Sequence, residues 1–152
     1  MSIDILVSPA KPHMVDWFFM DHDIIDDLGL KTTKQNLLWQ IENSWALSFK
    51  AGIPGYSLTP LALAGLFCDP DTNEGQVWFR PTISMPVHYR ALLRILPRYI
   101  KCLGDLSDCS RITTLLDPDN KNFKKFATLV KFRYSSDLDI NGVSFEEWEF
   151  RG

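Results

Sequence analysis

The residues best suited to chemistry fall into three small groups. Asp21, His22, Asp23, Asp26 and Asp27 crowd one short segment. Converging carboxylates are what a hard cation requires, but a charged run of this kind is most simply a solvated face. Arg80, His88 and Arg90 bracket a stretch with two prolines and could touch an anion through their side chains. Their ordinary place is in solvent. Lys121, Lys124, Lys125 and Lys131 form a basic patch. Without interleaved exposed aromatics it is a weak signal for nucleic acid.

The remaining nucleophiles are not arranged for catalysis. Cys68, Cys102 and Cys109 are an odd number with no short metal-type spacing, which argues against a disulfide framework and against zinc. Reduced thiols in a cytosol are the simplest reading. The sequence has no Gly-x-Ser-x-Gly and no P-loop, and its Cys and His residues show no triad-like pattern.

The 152 residues fit one domain, 1–152, large enough to bury a core without staples. Ten Phe and five Trp point to a well-packed interior. A net charge of -3 does not suggest a surface built for nucleic acid. Met1 to Val7 lacks the basic and apolar regions of a signal peptide, and no apolar run is long enough to cross a bilayer. These features predict a soluble protein made in a cytoplasm.

The elements that would position these residues follow from periodicity and punctuation. Ile3–Val7 predicts a strand ending at Ser8-Pro9. Met14, Trp17 and Phe18 lie at helical spacing after Pro12. Thr32 with Gln35 has the form of a capping box for a helix to about Ser44. Trp45–Lys50 alternates as a strand. Leu61–Cys68 suits a strand buried on both faces, and Gln76–Thr82 returns beside it. A helix begins near Pro86 with Leu92, Leu96, Tyr99 and Leu103 on one stripe. Pro97 should kink or end it, and Gly104 is placed as its C-cap. Arg111–Leu116 is a strand, and a helix with Phe123, Phe126, Leu129 and Val130 follows. Asn141-Gly142 joins Phe132–Ile140 to Val143–Phe150 in a hairpin. Trp148 and Phe150 share one side of that last strand, and Phe145 takes the other. The expected class is α+β, a mixed and mostly antiparallel sheet flanked by helices.

This order resembles the GNAT acetyltransferase fold. The sharpest local match is Asp117–Phe132: a strand end, Asn120, a helix with Phe123 and Phe126 at threes, then Val130-Lys131-Phe132. A resemblance over nearly the whole chain is to the small internal virion proteins of short-tailed phages, a family with a GNAT-like pattern. It rests on His22-Asp23-Ile24, Pro60–Gly65, Gln76–Phe79, Asn120 with Phe123–Lys125, and Asn141-Gly142 with Phe145.

If acetyl-coenzyme A binds, the resemblance implies that Trp78, Phe79, Arg80, Thr82 and Asn120 hold it. A splayed strand would offer free backbone groups, and Trp78–Thr82 is the candidate, but an ordinary strand ending at Pro81 is the favoured reading of the residues. Two departures weigh against activity. GNAT proteins cradle the pyrophosphate in a glycine-rich turn at a helix start, where the backbone must approach the phosphate closely. No glycine occurs from Gln76 to Leu103. Ala127 stands where the family commonly has its tyrosine general acid, and alanine has no proton to give. Tyr134 is the remaining candidate acid in an enzyme reading. Lys131 stands in the place of a glycine.

The resemblance therefore implies a GNAT-fold phage protein without acetyltransferase activity and without a cofactor. It would act inside the virion or in its assembly, with other virion proteins or a host protein as partners. It would be found in the host cytoplasm during synthesis and then in the virion. Two alternatives stay open: an acyl-CoA-dependent N-acetyltransferase with a divergent cofactor loop, and a phage-encoded binding protein that targets a host factor.

Overall fold

A computed structural model of the chain describes residues 4–19, 24–25, 31–53, 55 and 57–152. The acidic cluster is outside these except for its neighbours Ile24 and Ile25. Among the described residues, no group of three or more His, Cys, Asp or Glu could hold a metal. No described helix is long and apolar enough to cross a membrane.

The chain runs β1 (Asp4–Pro9), α1 (Met14–Phe18), a two-residue ribbon of β2 (Ile24–Ile25) and β3 (Lys31–Thr32), then α2 (Lys34–Asn43). Three strands follow: β4 (Trp45–Gly52), β5 (Leu58–Cys68) and β6 (Glu74–Pro81). A 3-10 turn at Met85–His88 leads into α3 (Tyr89–Leu106), β7 (Arg111–Leu116), α4 (Lys121–Leu129), β8 (Phe132–Ile140) and β9 (Val143–Phe150). The main sheet has seven strands in the order β1-β4-β5-β6-β7-β9-β8. Every neighbouring pair is antiparallel except β6 with β7. This is the mixed α+β architecture that the element order implied.

Each face of the sheet carries its own core. Phe49, Leu61, Ala62, Phe79, Leu92, Leu96, Ile100, Leu116, Ala127 and Phe132 pack together on the side of α3 and α4. Val15, Phe18, Phe19, Leu37, Ile41, Leu63 and Trp78 pack under α1 and α2. Leu61 through Leu66 are buried without exception, as expected of a strand covered on both faces. Gly65 admits this second core. A Cβ there would sit 2.5 Å from the Trp78 indole nitrogen, so the indole lies flat on bare backbone. Trp148 and Phe150 both pack with the first core.

Three local expectations are corrected. The α2 N-cap is Thr33, not Thr32: its hydroxyl accepts from Asn36 N at 3.1 Å, so the capping-box partner Gln35 is one residue out of step. In α1 the buried residues are Val15 and Phe18, and Trp17 is half exposed. The helix α3 passes through Pro97 and continues to Leu106. A mid-helix proline costs about 3 kcal/mol. Leu92, Leu96, Ile100 and Leu103 are all buried, and each contributes about 1.5–3 kcal/mol, which outweighs it. Gly104 is accordingly inside the helix, where a Cβ would lie 2.5 Å from Ile112 Cδ1. The left-handed residue after α3 is Asp108, at φ 54°.

The turn closing α4 bears out the reading of Lys131 as standing in a glycine's place. Its φ is 76°, in the region that favours glycine. Lys131 N donates to Thr128 O at 3.2 Å, and Lys131 O accepts from Arg151 N at 2.8 Å, which hold the residue there. The substitution Lys131→Gly should relieve the strain and raise unfolding stability by about 1 kcal/mol, measured by urea denaturation. An unchanged or lower midpoint would contradict this account.

Candidate functional site

The central feature is a parting of the sheet. β6 and β7 pair only at Glu74 with Arg111, Gly75 with Ile112, and Gln76 with Thr113. β6 stays paired with β5 as far as Pro81. The strand therefore ends at Pro81, as one reading had it, but the backbone ladder of its other edge with β7 ends at Gln76, and at Val77 the Thr114 side chain still reaches it.

Strand alternation determines what that free edge presents. Thr82 N donates to Leu61 O at 2.8 Å, one step past the last β5–β6 pair. Counting back by twos, Arg80 and Trp78 turn their backbone groups toward β5, and Val77 and Phe79 turn theirs toward the gap. Two of these gap-facing carbonyls are already bonded. Thr114 Oγ1 donates to Val77 O at 3.1 Å, and Arg80 Nη1 donates to Phe79 O at 2.9 Å.

Below the parting, aromatic rings cross the space between the sheet and the two helices. Phe79 of β6 and Phe126 of α4 have centroids 4.9 Å apart. Tyr89 at the start of α3 lies 5.9 Å from Phe126, and Phe123 meets Phe126 edge-on at 6.5 Å. On the outer side is an open cleft of about 540 Å³ between Pro81, Met85, Pro86, Tyr89, Asn122 and Lys125. On the inner side is an apolar cavity of about 50 Å³ between Val77, Leu96, Ile100 and Ala127. Phe79, Phe123 and Phe126 line both spaces, so these three rings form the wall between them.

The loop from Arg80 to Arg90 completes the outer cleft. Ser84 N donates to Thr82 Oγ1 at 3.3 Å, and Met85 N donates to Thr82 O at 3.2 Å. Pro86 has no N–H to offer. The loop's first donors thus turn back on Thr82. Met85 packs against the main core, whereas Val87 is 82% exposed and fills nothing. A second depression of about 490 Å³ adjoins the cleft at Pro86 and Tyr89, beside His88, Arg90 and Arg94.

The residues singled out in the sequence are dispersed. Phe79 lines the cleft. Asn120 does not line it; it is the N-cap of α4, its Oδ1 accepting from Phe123 N at 3.1 Å. The other three side chains are engaged elsewhere. Trp78 is buried under α2, its indole N–H donating to Ser44 Oγ at 2.9 Å. Arg80 was expected in solvent with His88 and Arg90, yet it is buried: Nη2 donates to Gln40 Oε1 at 3.1 Å and the guanidinium lies 5.7 Å from the Trp78 ring centroid. Thr82 is buried, its hydroxyl donating to Pro60 O at 2.6 Å. Tyr134 is half exposed on the outer strand β8 and meets Trp148 edge-on at 6.4 Å. It does not line the cleft. A hydrogen bond with Asp137 pushes its hydroxyl above the usual tyrosine range, which favours the protonated form. In the basic patch, Lys124 pairs with Glu146 at 3.0 Å and Lys125 lines the cleft.

What sequence reasoning missed is the ring wall. Phe123 and Phe126 carried a signal, since both lie on the apolar stripe of α4. Their meeting with Phe79 needed the register of β6 against α4.

One buried cation is separate from this site. Lys50 of β4 donates to Ser8 Oγ at 2.7 Å and to Ser48 Oγ at 3.2 Å. Burial pulls its pKa below the usual lysine value. Between its folded pKa and the ordinary value near 10.5 the unfolded chain holds the proton that folded Lys50 has lost, so the Lys50 contribution to stability rises with pH there, against the opposing contribution of the raised Cys109 thiol. Lys50→Met should therefore make the urea unfolding midpoint fall more steeply with pH than in the parent from pH 8 to 10.5.

No protein-family model and no curated protein sequence matches the chain. Solved structures do match its shape. A Salmonella typhimurium protein described as an acetyltransferase, solved with its cofactor acetyl-CoA, superposes with a TM-score of 0.63 at 9% identity, covering 97% of this chain and 93% of that one. A spermidine N-acetyltransferase variant from Vibrio cholerae gives 0.65 at 9% identity, with 97% and 93% covered. A GNAT-family acetyltransferase from Streptococcus pneumoniae gives 0.62 at 11% identity, with 97% and 100% covered. The chain has the GNAT acetyltransferase fold, and identities this low show the fold alone.

The ring wall is also core packing. Replacing Phe126 by alanine should lower unfolding stability by about 2–4 kcal/mol, because it joins cavity and cleft and removes three ring contacts. A urea midpoint within error of the parent would show that the rings do not hold the helix to the sheet.

Proposed function

We propose that this protein uses the GNAT fold without transferring acetyl groups. The observation that carries the reading is the wall of Phe79, Phe123 and Phe126 below the parting of β6 and β7. An extended pantetheine arm needs an open path beside the free edge of the splayed strand. Here that path is occupied by rings, and the gap-facing carbonyls of Val77 and Phe79 already accept internal donors.

The phosphate end fits no better. A diphosphate needs several convergent backbone N–H groups at a helix start. The loop before α3 has Ser84 and Met85 donating to Thr82, then Pro86, and no glycine. The general acid is missing at Ala127, which is buried in the core, and Tyr134 is out of the cleft. These residues do not fit acetyl-coenzyme A, and no catalytic step is drawn through it.

The biological setting in this reading is a phage particle or its assembly, with virion proteins or a host protein as partners. It rests on the sequence resemblance. Peptide mass spectrometry of purified virions should detect the chain, and its absence from them would remove this part.

The acyltransferase alternative draws on one specific observation. The strand is splayed, and an open cleft of about 540 Å³ lies beside it with His88, Arg90 and Arg94 adjoining. Ligand that binds the native state raises the melting temperature by mass action. Acetyl-CoA at millimolar concentration should leave Tm unchanged. A clear upward shift, or micromolar affinity by calorimetry, would overturn the non-catalytic reading and favour the enzyme.

A further inference from the structure

Two cysteine thiols face each other across the place where the two halves of the sheet are joined. Cys68 is the last residue of β5, and Cys109 lies in the connection from α3 to β7. Their sulfurs are 3.4 Å apart. Between them runs β6, and the residue they pass is Gly75, the partner of Cys68 in the β5–β6 ladder. A Cβ on Gly75 would lie 2.8 Å from Cys109 Sγ. The bare backbone of Gly75 is therefore what lets a thiol from the β7 side reach over β6 to β5.

We propose that Cys68 and Cys109 are a disulfide-forming site that locks the base of the splay. Gly75 also pairs with Ile112, the middle of the three pairs joining β6 to β7. A bond from Cys68 to Cys109 would span that junction from outside, linking β5 to the entry of β7. The site is independent of whether the cleft holds a cofactor.

Both thiols are half buried, so a small oxidant can reach them. The oxidant class is a low-molecular-weight disulfide. The Cys68 thiolate attacks one sulfur of it, forming a mixed disulfide and releasing one thiolate. Cys109 then loses its proton and attacks the Cys68 sulfur, releasing the second. The balance is two protein thiols and one small disulfide giving one protein disulfide and two small thiols. Burial, then the hydrogen bond and charge of Cys68, push the Cys109 thiol up to about 12. Once Cys68 is capped as the mixed disulfide, those two contributions from Cys68 are gone and Cys109 ionises more readily. Cys102 is exposed on α3 and serves as an internal control.

The test treats the full chain with excess oxidised glutathione, then maps disulfides by non-reducing peptide mass spectrometry and counts free thiols. The expected result is a Cys68–Cys109 link with both of those thiols no longer free, exposed Cys102 either free or capped by glutathione, and a Tm rise of about 10 °C that dithiothreitol reverses. Cys102→Ser should behave as the parent, and Cys109→Ser should show neither the link nor the Tm rise. Should Cys109→Ser fold poorly, Cys109→Ala takes its place, and the map on the parent chain stands without either. Three thiols still free, glutathione retained on Cys68, or a link through Cys102 would each overturn the proposal.

Discussion

Three residue pairs hold this sheet together at its middle. On one side of them stand β1, β4, β5 and β6, and on the other β7, β9 and β8. A parallel junction this short contributes few backbone hydrogen bonds, so side chains reinforce it. Arg111, at the start of β7, reaches Glu147 at 2.7 Å and Glu149 at 3.3 Å on β9, with Glu74 of β6 at 4.0 Å. The hydrogen bond to Glu147, with the Glu147 and Glu149 charges, raises the guanidinium pKa above its ordinary value. Thr113 Oγ1 and Thr114 Oγ1 add bonds from β7 to the carbonyls of Gly75 and Val77. Everything beyond this junction depends on it, because the direction in which β6 and β7 diverge sets the volume that α3 and α4 must fill.

That volume can be filled by a ligand or by the protein. Here the protein fills part of it, with Phe79 from the sheet and Phe123 and Phe126 from α4, and leaves the open cleft outside these rings. Burying a phenyl ring contributes about 1.5–3 kcal/mol, and paired rings add to that. A chain that closes the gap with its own side chains does not need a cofactor to complete its core. In the proposed non-catalytic reading, the rings that pack this space also narrow the route a cofactor would take.

Much of the fold could be read directly because its signals are local. Asn141 and Gly142 both adopt positive φ, at 52° and 82°, as an Asn-Gly hairpin turn requires. Leu61–Leu66 is too short for a helix and too apolar for a half-exposed strand. Asn120 caps α4 in its own first turn. The misreadings were of competing local signals. Pro97 and Gly104 each argue for a helix end, yet the leucine stripe they interrupt is buried along its length. Thr32 and Thr33 are equal as caps until the helix direction selects one.

By itself the sequence determined the fold class, the order of the elements apart from the β2–β3 ribbon, and the absence of glycine from Gln76 to Leu103. Those are properties of neighbours within a turn or a strand, where covalent spacing dictates who meets whom. Only the tertiary structure decided that β6 parts from β7 after Gln76, that Arg80 turns inward to Gln40, and that Cys68 meets Cys109 over Gly75. Each of these joins residues some forty positions apart, or the absence of a pairing that local residues would allow. Register and helix placement, not residue type, determine such distances, and they arise only when both cores are packed at once.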